Sequence, residues 1–250
     1  MQEEEIRLDD KSRDIVVIVV EGPSDKLYLE VPMSLIFENK YGSDASFVVL
    51  SDFTGDYLYE NQDVSSILDK YVEGELRKPK FKMSEEIAKH IVAVYHIIDI
   101  DQSYVSEDLI HKGDFNSFHY SSDGIHYCRP EEVSKRNRIK RQNIEKLLLK
   151  KNVDLFNSKI QYHLFYYSVN IDHFYYDKLN ISDEEKYHLA RTYSEAILNK
   201  QSESGRIKKF YSDIDGINPP EFPKDYKLTW DYIQCDNNCL KRCTNVFLIK

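Results

Sequence analysis

The chain has 250 residues, carries 34 Lys+Arg against 43 Asp+Glu for a formal charge of −9, and is 41% hydrophobic. That length buries a sizeable core without disulfides or a structural metal, and 19 Tyr with 12 Phe exclude a solvated, disordered chain. The longest aliphatic run, Ile15 to Val20, falls far short of the ~20 residues that span a bilayer; with an acidic Met-Gln-Glu-Glu-Glu start unlike an export leader, it points to a cytoplasmic protein with no membrane contact.

Residues 1 to 13 are charged and aperiodic and read as a flexible N-terminal arm. Asp14 to Val20 is β-branched throughout after the Asp, the pattern of a strand buried on both faces. It ends at Glu21-Gly22-Pro23-Ser24-Asp25, where Gly and Pro form a turn and Ser24 is placed to cap a helix that includes Lys26 to Glu30. Pro32 would bend that helix or start a second one. Ser46 to Leu50 reads as a second strand ending at Asp52, Val64 to Glu75 as an amphipathic helix, and Ile91 to Ile98 as a third strand ending at Asp99-Ile100-Asp101. Strand and helix alternating over the first hundred residues indicate an α/β fold with a parallel sheet, whose ligands gather beyond the carboxyl ends of the strands. Each of these strands finishes on an acid.

Farther along, 111 to 130 is polar and His-rich and reads as a loop or small insertion. Glu131 to Leu149 reads as a helix, Tyr162 to Ser168 as a fourth strand, Asp183 to Asn199 as a helix capped by Ser182, and Thr229 to Thr244 as a closing helix. The expected organisation is therefore the arm at 1–13, an α/β core at 14–110, and a mostly helical remainder at 111–250 that completes the domain. Cys235, Cys239 and Cys243 would share one face of the closing helix and serve packing, since no fourth ligand lies nearby for zinc.

Asp99 and Asp101, two apart at a strand end, can turn both carboxylates to one hard cation, and Asp25 lies one helical turn from Glu21. Taken together, Val19-Val-Glu-Gly-Pro-Ser-Asp-Lys26 and Ile97-Ile-Asp-Ile-Asp101 resemble the TOPRIM family, above all the OLD-type TOPRIM nucleases and the AriB-type effectors of the PARIS anti-phage system. The resemblance covers roughly residues 14 to 105. It implies a TOPRIM-like Rossmannoid sheet flanked by helices and Mg²⁺- or Mn²⁺-dependent phosphodiester hydrolysis. Glu21, Asp99 and Asp101 would be catalytic, and the same three with Asp25 would hold the metal; Asp52 and Asp172 are further candidates for the acidic cluster. It also implies RNA (tRNA included) or DNA as substrate, a role as an abortive-infection effector, a separate ATPase partner and possible self-association; the chain itself has no Gly-x-x-x-x-Gly-Lys-Ser/Thr phosphate loop.

For the substrate backbone, Lys135 to Lys151 holds eight positive residues against one negative, and Lys135, Arg136, Arg138, Lys140 and Arg141 form its densest part, suited to phosphates. Two other readings stay open. Asp99-Ile-Asp-Gln-Ser103 also fits the Asp-x-Asp-x-Ser/Thr of a haloacid-dehalogenase-like phosphatase, with Asp99 as nucleophile and Asp101 as general acid. A TOPRIM fold that binds a partner without chemistry is the other.

Overall fold

The computed structural model describes residues 14–43, 45–51, 53, 59–81, 83–235 and 237–250; the arm at 1–13 and Asp52 lie outside the described residues. Every residue of β1 (Ile15–Val19) is β-branched and buried. The chain turns at once into α1 (Pro23–Tyr41), where Gly22, and not the expected Ser24, is the N-cap and Pro23 takes the first helical position, where its missing N–H is no loss. The helix runs unbroken through Pro32.

β2 (Ser46–Leu50) and α2 (Val64–Leu76) lie at or within a residue of their expected ranges. After the short α3 (Glu85–Ala88), β3 (Ile91–Asp99) runs one residue past its expected end. Of the two readings of the polar stretch at 111–130, a loop or a small insertion, the structure shows the insertion. β4 (Ile110–Lys112), β5 (His119–Ser121) and β6 (Gly124–Tyr127) build a separate three-stranded sheet in the order β4-β6-β5. Then come α4 (Pro130–Leu149), β7 (Asn152–Leu155), β8 (Ser158–Tyr167) and α5 (Ile171–Tyr176). α6 (Asp183–Leu198) is capped by Ser182, which accepts from the Glu185 amide. α7 (Glu203–Ile217) follows, and α8 (Tyr226–Gln234) is the last α-helix among the described residues.

The main sheet has five strands in the order β2-β1-β3-β8-β7, all parallel except the edge strand β7. The remainder of the chain is therefore more than a helical extension: β8 pairs along the length of β3 and completes the sheet. From β1 the chain moves one way to β2, then returns past β1 to β3. Right-handed crossovers put the two connections on opposite faces. Accordingly α1 packs with α6 and α7, while α2 packs with α4 and β7. The order reverses between β1 and β3, and there the carboxyl ends of an α/β sheet open into a crevice.

The expected closing helix stops at Gln234. Asn237 takes a left-handed backbone (φ 56°), and its side chain accepts from the Ser106 amide at 2.7 Å, a local hydrogen bond of the kind that competes with helix. Thr244 instead bridges to Tyr167. Cys235, Cys239 and Cys243 thus share no helical face; the last two are buried packing groups, and Cys235 is exposed.

Two glycines separate on steric grounds. Gly22 has an ordinary extended backbone (φ −131°, ψ 162°) and room for a Cβ, whose nearest neighbour would be 3.5 Å away, so the turn after β1 does not require glycine. Gly124 has φ 128°, and a Cβ there would fall 1.9 Å from the Leu109 carbonyl oxygen. Gly124→Ala is expected to cost roughly 3 kcal/mol or more through backbone strain and overpacking, whereas Gly22→Ala costs at most about 1 kcal/mol; chemical denaturation of both variants checks the contrast.

Candidate functional site

The crevice is assembled from the ends of β1 and β3, the first turn of α1, the start of α5, and the face of α4 turned inward. Val20 continues β1 by donating to Leu50 O at 2.9 Å, and Glu21 follows at the strand's exit. Asp25, third in α1, accepts from the Gly22 amide at 2.8 Å and so holds the helix start against the strand end. Asp99 is the last residue of β3, opposite Tyr167 of β8. Asp101 and Gln102 then both take left-handed backbone (φ 52° and 53°), an arrangement that costs side-chain-bearing residues about 1 kcal/mol or more each. The Ile100 amide donates to Tyr167 O and the Asp101 amide to Val169 O, so β8 pins the reversal. Asp172, in the first turn of α5, accepts from the Tyr28 hydroxyl at 2.8 Å. His173 beside it is buried, and burial pushes its pKa down to about 4.

Two α4 side chains expected on a solvent-facing strip are instead buried among these acids. The Lys140 ammonium is fully buried; it donates to Asp101 Oδ2 and stands 3.7 Å from Glu21 Oε1. Arg136, 3% exposed, donates to the Asp101 carbonyl at 2.9 Å, to Asn137 Oδ1 at 2.7 Å and to the Tyr120 hydroxyl at 2.6 Å, with its guanidinium 3.3 Å from Asp101 Oδ2. Neither is placed to track a nucleic-acid backbone. Lys135 and Arg138 remain exposed and pair with Glu60 at 2.8 and 3.4 Å, while Arg141 is half-buried. The basic strip is therefore divided between two faces of one helix.

The electrostatics follow from this placement. Burial, reinforced by Asp25, Glu21 and Asp101 and opposed by Lys140, lifts the Asp99 carboxyl well above its ordinary range. Burial is also the main cause that pushes Asp25 up to about 7; the Gly22 amide opposes it and Asp172 adds to it. Burial works to raise Asp101 as well, but Lys140 and Arg136 outweigh it and hold that carboxyl below the usual value. Asp172 is raised by burial against the Tyr28 hydrogen bond and Lys186 of α6.

Glu21, Asp25, Asp99 and Asp101, the residues expected to hold metal, thus converge on one crevice, and Asp172 joins them. Their donor set is all carboxylate oxygen, the set a hard divalent cation takes; burial is the main cause that lifts Asp99, and the repulsion from Asp25, Glu21 and Asp101 that adds to it is what such a cation relieves. They are not drawn onto a single point, however. Among the described residues, the ligand-type side chains whose donor atoms all lie within 4.8 Å of one another are His111, Asp123 and His126, in the small sheet. In the crevice Lys140 holds the cationic position between Asp101 and Glu21. Neither a family model, a curated protein nor a solved structure matches this chain.

Removing one partner of a buried ion pair strands the other, at a cost of about 3–5 kcal/mol. Lys140→Met is expected to lose stability of that order at pH 7. Without the lysine, the folded-state pKa of Asp101 rises above its unfolded value, so the folded state binds more protons as pH falls. The deficit relative to the parent protein should therefore shrink toward pH 4–5, read by urea denaturation across that range; a pH-independent deficit would point to lost packing alone.

Proposed function

We propose that this crevice is the active site of a TOPRIM-type, Mg²⁺- or Mn²⁺-dependent nuclease that hydrolyses phosphodiester bonds in RNA, tRNA included, or in DNA, and acts as an anti-phage effector with a separate ATPase. The observation that carries this reading is that Glu21 and the Asp99/Asp101 pair stand at the carboxyl ends of β1 and β3, on either side of the point where the strand order reverses. Motif and topology agree on the same place. The defence role and the ATPase rest on the motif resemblance alone.

Glu21, Asp99 and Asp101 would hold the cation, with Asp25 beside them. The chemistry these residues would gain from such an ion is neutralisation of charge developing on the phosphate and a lower pKa for an attacking water. Asp25 and Asp99, both held above the ordinary carboxyl range chiefly by burial, would ionise more fully as positive charge enters. Lys140 is the group that exchange would displace, whereas Arg136, tied to Asp101, Asn137 and Tyr120, keeps the reversal after β3 in place. Lys135 and Arg138 remain as exposed cations for the substrate backbone.

Lys140 also favours a second reading, in which the crevice is neutralised by the protein's own cations and the fold binds a partner without chemistry. Cleavage separates the two. Purified protein with Mg²⁺ or Mn²⁺, tested with and without a candidate ATPase, is expected to cut tRNA or plasmid DNA; Glu21→Gln and Asp101→Asn should lower the rate at least about 100-fold while remaining folded. Absence of divalent-dependent product under all these conditions would leave the non-catalytic reading. Replacing both Lys135 and Arg138 with Glu should weaken nucleic-acid binding and lower the slope of log affinity against log salt by about two; an unchanged slope removes them from the interface.

A further inference from the structure

The small sheet carries a second set of ligand-type side chains, unrelated to the carboxylate crevice. β4 and β6 pair in register with His111 opposite His126, and β5 pairs with β6 so that His119 is opposite His126 on the other side. Residues opposite one another share a face of a sheet, so the three histidine positions form one row. Asp123, in the connection between β5 and β6, folds back onto that row: its carboxylate lies 3.2 Å from His126 Nε2, and its carbonyl 3.1 Å from His111 Nε2. The imidazoles of His111 and His126 are 4.8 Å apart centre to centre. His119 is turned aside and stacks on Phe115 at 4.0 Å.

We propose that His111, Asp123 and His126 form a transition-metal site of the Zn²⁺ class. One donor atom from each lies within 4.8 Å of the others, and modest side-chain rotation brings two imidazole nitrogens and a carboxylate oxygen to the ~2.0–2.2 Å that zinc requires. Two nitrogens and one oxygen select zinc, nickel or copper over Mg²⁺, which takes oxygen. Partial exposure of the trio leaves the remaining tetrahedral position to water. Supports for the ligands are already built: Ser121 Oγ donates to Asp123 Oδ1 at 2.5 Å, and Gly124, where no Cβ fits, fixes the turn that presents Asp123.

An ion held there ties β4 to the β5–β6 hairpin. The same hairpin meets the crevice from outside, since the Tyr120 hydroxyl accepts from Arg136 and the Ser121 carbonyl accepts from Gln102 Nε2 at 2.8 Å. The site is thus a clamp on the lobe that holds Arg136 and the left-handed reversal at Asp101, and it stands whether or not the crevice is catalytic.

The test is titration of chelator-treated full-length protein with Zn²⁺ against a chromophoric chelator, and with Co²⁺ followed by the visible absorption of its tetrahedral complex. One tight site per chain is expected. His111→Ala, His126→Ala and the near-isosteric Asp123→Asn should each weaken it at least about tenfold, the loss brought even by removing an outer hydrogen-bond partner of a ligand. Glu21→Gln, Asp101→Asn and Cys235→Ser should leave it unchanged, and circular dichroism should show every variant folded. The proposal is overturned if the parent protein has no tight site, if the site survives His111→Ala and His126→Ala, or if it is lost in the crevice or cysteine variants.

Discussion

The ion pair between Lys140 and Asp101 is the contact on which the rest of the crevice depends. Parallel strands buried on both faces bring Glu21 and Asp99 to the end of a dry sheet, and α1 adds Asp25 beside them. Several carboxylates in one poorly solvated place repel one another and lose hydration; they persist when cations are supplied or when protons stay bound. The fold does both. Lys140 and Arg136 hold Asp101 ionised, while burial shifts Asp25 and Asp99 toward the protonated form.

That division explains the shape of the chain after β3. Asp101 can meet Lys140 because the backbone reverses through two left-handed residues, and the reversal is held from β8 by Tyr167 and Val169, from α4 by Arg136, and from the small sheet by Ser121 acting on Gln102. Local strain is therefore offset by hydrogen bonds drawn from three distant parts of the sequence. The small sheet contributes to the crevice without supplying any of its acids.

Much of this was legible in the sequence, and the reasons differ by element. β1 and β3 are β-branched and apolar runs with acids at their ends, and their position in an alternating pattern was enough to place Glu21, Asp99 and Asp101 together. α4 was legible as a helix, but the destination of its charges was not. Lys135 to Arg141 reads as one basic strip when charges are counted along the chain. Counted by helical turn, Val133, Arg136, Asn137, Lys140, Ile144 and Leu147 form one buried stripe, and charged residues within such a stripe signal a buried partner. The small sheet was hidden because strands of three or four residues are too short to show a period. The helix at 203–217 is masked in the sequence because glycines and aspartates weaken helix propensity there, although Ile207, Phe210 and Ile214 keep helical spacing. The closing helix ends at Gln234, where Cys235 turns extended, and farther on the Asn237 side chain is taken by the Ser106 amide.

The central claim is that the carboxylate crevice exchanges its internal cation for a divalent one. An anomalous difference map from a crystal of the protein soaked in Mn²⁺ tests it directly. The account predicts a peak among Glu21, Asp99 and Asp101, with the Lys140 ammonium moved off Asp101. A map with no peak in the crevice, and Lys140 still bridging Asp101 and Glu21, would contradict it.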